Sequence, residues 1–197
     1  MGNLFLAKVQ IEGVRPLLFH HFGPDALPLE KQERTGVAGN DPEEWRKTVL
    51  MTKERQLYLL PTYAFACIRD AAKYTKKGKG SIQSAVSATL QVTDERILVD
   101  RFVPSEPIPT DNDLPVYMSV MSVKNPATKA RNVRYRVAAG TGWKAEFHLL
   151  WDKTIVSSGE MQAVLNDAGQ LVGLADGRNI GFGRFKILNV EIGEPSK

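Results

Sequence analysis

The residue pattern predicts an α+β sandwich of ferredoxin-like topology, βαββαβ, with four antiparallel strands covered on one face by two helices. Three observations carry that expectation. Apolar and polar residues alternate over 5–12 and again over 143–151, the period of a half-buried strand. Apolar residues at helical spacing follow Thr62 and Ser157. A glycine-rich turn at 173–183 then feeds a last strand at 185–192. With 43% hydrophobic and 24% charged residues among 197, the chain can bury a core and is not of the disordered class.

Taken in order, the first strand places Ala7, Val9 and Ile11 on one face and Lys8, Gln10 and Glu12 on the other. Gly13, Pro16, Gly23 and Pro24 break the chain around a second apolar run at 17–22, and 23–40 reads as a long loop. Asp41, Pro42 and Glu44 read as N-cap, first-turn proline and capping-box acid of a short helix ending near Met51. Residues 57–61 are extended. The helix from Thr62 to about Tyr74 turns Ala64, Phe65, Ile68, Ala71 and Ala72 inward. The Lys/Gly stretch 76–80 ends it, and Ser81 is placed to cap a further helix over 82–90.

Strand character returns at 96–103, and four prolines make 104–115 a loop. Residues 116–138 read as a projecting β-ribbon, polar on both faces. The strand 143–151 puts Trp143, Ala145, Phe147, Leu149 and Trp151 on one side. Ser157 and Glu160 form a capping box for a helix with Met161, Val164, Leu165, Ala168 and Leu171 inward. The whole is one domain, 1–197, with insertions at about 23–56 and 104–140.

Composition excludes several classes. No run approaches the roughly 18 apolar residues of a membrane span, and residues 1–8 fit neither a signal peptide nor, with Leu6, a myristoylation signal. The single cysteine, Cys67, excludes an internal disulfide and any multi-cysteine metal site, and reads as a small core hydrophobe. The expectation is an intracellular, cytoplasmic protein without cofactor or metal.

Net charge is only +4, but it is unevenly placed. Lys124, Lys129, Arg131, Arg134 and Arg136 occupy the ribbon without an acid between them. Arg69, Lys73, Lys76, Lys77 and Lys79 stand against Asp70 alone. Between them, 94–113 carries six acids and two arginines. Basic blocks of this kind suit a polyanion.

The glycine-rich turn fits no dinucleotide fingerprint, because a helix precedes it and a strand follows. It has no Gly-Lys-Ser/Thr for a phosphate loop. Residues 180–185 half-match an RNA-recognition (RRM-like) signature, but Arg184 replaces a stacking aromatic. What the helix, the turn and Gly181-Phe182-Gly183-Arg184-Phe185 resemble is the closing motif of the RAMP (repeat-associated mysterious protein) superfamily of CRISPR systems. Residues 59–69, an extended stretch, Pro61 and a helix bearing Arg69, are similar to that superfamily's first core helix. The basic ribbon stands where its guide-coating backbone subunits carry a thumb-like hairpin. Small phage and prophage proteins share the pattern, so no CRISPR locus is implied, and the host is a prokaryotic or phage-infected cell.

The resemblance implies a non-enzymatic subunit holding single-stranded RNA or DNA on a basic surface and oligomerising along it, alone or within a larger ribonucleoprotein. The residues support this directly. Lys124, Lys129, Arg131, Arg134 and Arg136 would neutralise phosphates, with Tyr117, Met118, Met121 and Tyr135 stacking on or wedging between bases. Lys73, Lys76, Lys77 and Lys79 form the second basic block. The backbone around Gly177, Gly181 and Gly183, with Arg178, Arg184 and Lys79, would cradle a phosphate. One alternative is a metal-independent endoribonuclease using His20 and His21 as acid and base, although neighbours on a strand face opposite sides. The superfamily also suggests metal-assisted cleavage at Asp41, whose capping position already accounts for it. His148 reads as a surface residue. A third reading is a phage assembly protein whose ribbon binds protein.

Overall fold

A computed structural model describes residues 3–23, 41–124, 129 and 131–194. The expected loop 23–40 therefore lies outside the described residues except for Gly23. Strand β1 (Leu4–Gly13) buries Ala7, Val9 and Ile11. After the two-residue β2 (Leu17–Leu18), helix α1 (Trp45–Thr48) and strand β3 (Gln56–Leu59) lead into helix α2 (Pro61–Ala71). A small hairpin, β4 (Lys76–Lys77) and β5 (Gly80–Ser81), precedes helix α3 (Gln83–Thr89), then β6 (Gln91–Val92) and β7 (Ile97–Phe102). The ribbon is β8 (Val116–Lys124) with β9 (Arg131–Ala139). Strand β10 (Lys144–Asp152), helix α4 (Ser158–Asp167) and strand β11 (Phe185–Gly193) complete the chain.

The main sheet runs β11–β1–β10–β7–β3, antiparallel at every step. Without β3, this is the ferredoxin-like order: the first and third core strands are central and the last and second flank them. The long β1–β10 ladder, from Leu4 opposite Asp152 to Glu12 opposite Lys144, aligns the two alternating patterns so that their apolar sets share one face. Trp143, Phe147 and Trp151 are buried there with Ile68 and Ala71 of α2 and Met161, Val164 and Leu165 of α4. Each large side chain removed from water contributes roughly 1.5–3 kcal/mol. The Ser157–Glu160 capping box is formed, both partners donating reciprocally. Among the described residues no helix is long and apolar enough to cross a membrane.

Three local expectations are corrected. Ser81 pairs with Lys76 in the hairpin, so α3 starts on Ile82 without a side-chain cap. Helix α1 stops at Thr48, because 50–52 runs back beside β3: the Tyr58 N–H donates to the Leu50 carbonyl and Met51 bridges Leu57. After α4 the chain adds a π turn over 168–172, closed by the Gly173 N–H to the Ala168 carbonyl at 2.8 Å. The wider turn changes the helical phase, so Leu171 points out and is 43% exposed.

The ribbon is polar only in its outer half. Its inner half packs on both faces, with Val116, Met118, Val137 and Ala139 in the main core. Tyr117 and Ala138 form a smaller cluster with Leu18, against which Phe182 of the glycine turn packs. Strand β2 seals this root by pairing Leu17 and Leu18 with Ala139 and Ala138.

Candidate nucleic-acid interface

The residues that mount the ribbon also assemble a chain of charges. Beyond β2 the backbone stays alongside β9, the Phe19 N–H donating to the Val137 carbonyl, and so carries His20 to the ribbon's root. There His20 Nε2 lies 3.0 Å from Glu44 Oε1. The same oxygen accepts from Arg134 Nη1, and the Tyr135 N–H approaches Glu44 Oε2 at 3.5 Å. On its other side, His20 Nδ1 is 4.0 Å from Asp176 Oδ2, which stands 2.9 Å from Arg136 Nε. The Arg136 contact is an ion pair without an aligned hydrogen bond between those atoms. Two carboxylates thus flank His20, each backed by a guanidinium group, and the His20 side chain is only 7% exposed. Buried charges persist when paired in this way.

This network corrects the expected capping box at Asp41. Asp41 Oδ1 accepts from the Glu43 N–H in a local turn, while Glu44 turns inward to Arg134 and His20 and caps nothing. A charge-assisted tertiary pair outweighs the helix-end bond. Asp41 itself is exposed. Among the described residues no group of three or more His, Cys, Asp or Glu could hold a metal ion.

His20 and His21 are not brought to one site. His21 Nδ1 lies 2.9 Å from the Tyr63 hydroxyl on α2, away from the Glu44 side. Burial, and then the negative charge of Asp176, push the Tyr63 phenol above its ordinary value. His148 is half-buried and bonded to Asp94 at 3.0 Å. Cys67 is fully buried, and burial raises its thiol to about 12, so it carries no thiolate at neutral pH.

The ribbon's expected contact residues divide by depth. Lys124, Lys129 and Arg131 are exposed on the outer half, with Arg131 Nη1 3.4 Å from Ser122 Oγ. Arg134 is half-buried and held by Glu44. Arg136 is buried and committed to Asp176, so it does not face a ligand along the outer ribbon. Tyr117 and Met118 are buried, and Tyr135 packs against the core, so none of the three is a free stacking platform. Met121 is half-buried at the margin between root and outer ribbon.

The glycine turn folds upon itself. The Leu174 N–H donates to the Gly183 carbonyl and the Gly183 N–H to Pro16, while those of Ile180 and Phe182 both donate to Gly177. The Asp176 N–H donates to Leu18 and that of Gly181 to Arg178. Gly183, at φ +69°, sits so close to Leu174 that a Cβ would meet its carbonyl oxygen at 2.0 Å. The Gly181 and Gly183 amides hold the turn's own shape, so those two are not free to cradle a phosphate as expected. What the turn offers outward is side chains: Arg178 and Arg184 border a cleft with Lys73 at the end of α2. Lys76 and Lys79 are exposed on the β4–β5 hairpin, and Lys77 pairs with Glu160 at 3.1 Å.

The sheet's open face, where an RRM-like platform would lie, is laced with internal pairs: Lys8 with Glu146 at 3.1 Å and Lys186 with Glu12 at 2.8 Å. The sequence pattern gives no sign of the roles of Glu44 and Tyr63. Only Asp176, an acid inside a glycine-rich turn that also carries Arg178 and Arg184, has a hint of its own.

No protein-family model matches the chain, and no curated protein matches it. Among solved structures, a chain in the cryo-EM structure of the Type III-B Cmr-beta bound to cognate target RNA superposes with a TM-score of 0.55 at 9% identity. The match covers 96% of this chain and 60% of that one, so this chain spans about 60% of the length of its structural neighbour. At this identity the likeness concerns architecture: the protein has the ferredoxin-like α+β fold that the order of its strands and helices predicts.

Proposed function

We propose that the protein is a RAMP-like, non-enzymatic subunit that binds single-stranded RNA and multimerises along it in the cytoplasm. The observation that carries this reading is the ribbon, anchored on both faces at its root and basic at its exposed end, where Lys124, Lys129 and Arg131 stand. A fixed base with a cationic, solvent-facing end suits backbone contacts to a strand, which hold it without reading its sequence. The likeness to a chain from a complex bound to target RNA supports RNA over DNA as the ligand. The setting of His20, its ring held against Glu44 and largely covered, with His21 turned elsewhere, supports binding without cleavage.

The test is a mobility shift of the purified protein with labelled single-stranded RNA, single-stranded DNA and duplex, at two salt concentrations. Laddered shifts on single-stranded RNA that weaken with salt, with the RNA recovered intact, are expected. Cleaved RNA, with cleavage lost in His20→Ala or His21→Ala, would replace this reading with the endoribonuclease. No shift on any ligand would favour a protein-binding assembly role.

A further inference from the structure

We propose that the cleft between the end of α2 and the glycine turn is a binding site for a phosphomonoester, the terminal phosphate of a nucleotide, held by Lys73, Arg178 and Arg184. The cleft has a volume of about 310 Å³, at the lower end of the range that small ligands occupy. It lies apart from the ribbon's outer half and uses none of its residues. The inference does not rest on strand binding, since a free nucleotide and a strand end present the same group.

Charge argues for the monoester. Lys73, Arg178 and Arg184 line the cleft with one acid, Asp70. That acid is shared: it accepts from Arg69 Nη2 at 2.8 Å as well as lying 3.5 Å from Arg178 Nη1. The cleft is therefore left with at least two uncompensated positive charges. A backbone diester supplies one negative charge, whereas a terminal phosphate carries about −1.5 to −2 at neutral pH and three acceptor oxygens.

Hydrogen bonding points the same way. Arg184 Nη1 is buried and has no hydrogen-bond partner among the described residues. A buried guanidinium donor left unmatched is unfavourable, and a phosphate oxygen is the acceptor its planar fork fits best. The Arg178 guanidinium, only loosely held by Asp70 at 3.5 Å, is positioned to turn toward the same group.

The remaining walls suit the organic part of a nucleotide. The π turn rotates Leu171 out of the core to 43% exposure, and Tyr74 beside it is 46% exposed. An exposed leucine and tyrosine next to three cations give an apolar surface for a sugar or base. Lys73 Nζ lies 4.8 Å from the Tyr74 ring centre, so ammonium and ring are held together at the cleft mouth.

Calorimetric titration of the full chain with AMP and with adenosine tests the site. AMP is expected to bind and adenosine not to. Lys73→Ala, at an exposed position where folding is unaffected, should weaken AMP at least tenfold, and Arg178→Ala should do the same. Arg178→Lys should recover part of the loss, and Asp70→Asn should tighten AMP several-fold, which a merely structural role for these residues would not produce. Lys124→Ala and Arg131→Ala should leave AMP binding unchanged. RNA hexamers ending in 5′-phosphate, 3′-phosphate or hydroxyl separate the sources. Preference for a phosphorylated end, with displacement of AMP, assigns the site to strand ends; AMP binding without such preference assigns it to free nucleotide. AMP and adenosine behaving alike, or AMP binding indifferent to Lys73→Ala and Arg178→Ala, overturns the proposal. AMP binding with no mobility shift on any strand would overturn the strand-binding reading and leave this one standing.

Discussion

Arg136 Nε stands 2.9 Å from Asp176 Oδ2, an ion pair that ties the inner half of β9 to the glycine turn. The two residues come from the ribbon and from the segment before the last strand, so the pair fixes how the ribbon sits on the body. Asp176→Asn leaves the Arg136 guanidinium, 9% exposed, without its countercharge. Loss of one partner of a fully buried pair costs about 3–5 kcal/mol; with Asp176 34% exposed, about 2 kcal/mol is expected here. Adding Arg136→Met should cost less than the sum of the two single changes, because the orphaned charge is removed. Urea unfolding of the two single variants and the double variant measures both quantities.

Two glycines with similar positive φ should respond very differently to alanine. Gly183, at φ +69°, has no room for a Cβ because the Leu174 carbonyl oxygen would lie 2.0 Å away. Gly78, at φ +60° in the β4–β5 hairpin, has nothing within 4 Å. Gly78→Ala should cost only the left-handed strain of about 1–2 kcal/mol, whereas Gly183→Ala should disrupt the turn and lower the melting temperature much further. Similar drops in a thermal melt would show that the turn relaxes freely.

On the ribbon, the residues to change are the outer ones. Lys124→Ala, Lys129→Ala and Arg131→Ala combined should flatten the salt dependence of RNA binding, by roughly 0.7 in the log–log slope for each phosphate no longer neutralised. The melting temperature should stay within about 2 °C, since exposed substitutions change stability little. Arg136→Ala should do the reverse, destabilising the fold with little direct effect on the slope. Filter binding over a salt series, alongside melts, separates the two patterns.

The capping box of α4 should show a pH signature. The Ser157 backbone N–H, and then the Ser157 hydroxyl, hold the Glu160 carboxyl below its ordinary 4.5. A lowered carboxyl adds stability above its unfolded value and loses it as pH falls through the folded one. Glu160→Gln should therefore destabilise at pH 7 and become nearly neutral at pH 3. Ser157→Ala, which removes the cap itself, should cost about 1 kcal/mol at pH 7. Chemical unfolding at both pH values decides the sign.

The main sheet was legible because β1 and β10 alternate strictly, and because the Ser157 cap uses partners three residues apart. Glu44 and Arg136 were misread because their partners are far away in sequence. Glu44 has the spacing of a capping box, yet its carboxylate goes to Arg134, 90 residues on, and to His20. Arg136 lies in a basic run and so looks exposed. Its burial follows from the pairing of Leu17 and Leu18 beside it and from the packing of Phe182 on that side of the ribbon, neither of which has a local signature. Leu171 follows a helical pattern that the π turn interrupts. Of the candidate contact residues, Lys124, Lys76 and Lys79 are exposed as their basic, loop-like surroundings suggest.

The ribbon's packing on both faces of its root also makes it a lever. From Val120 to Lys124 the outer strand runs five residues, an arm of roughly 17 Å at about 3.4 Å per residue. A tilt of about 10° at the root would move the tip of such an arm by roughly 3 Å. The Arg136–Asp176 and Arg134–Glu44 pairs lie at the fulcrum. If copies of the protein line a strand as proposed, these pairs would set the pitch at which they step, and a side chain that never touches the strand would determine how many nucleotides each copy spans.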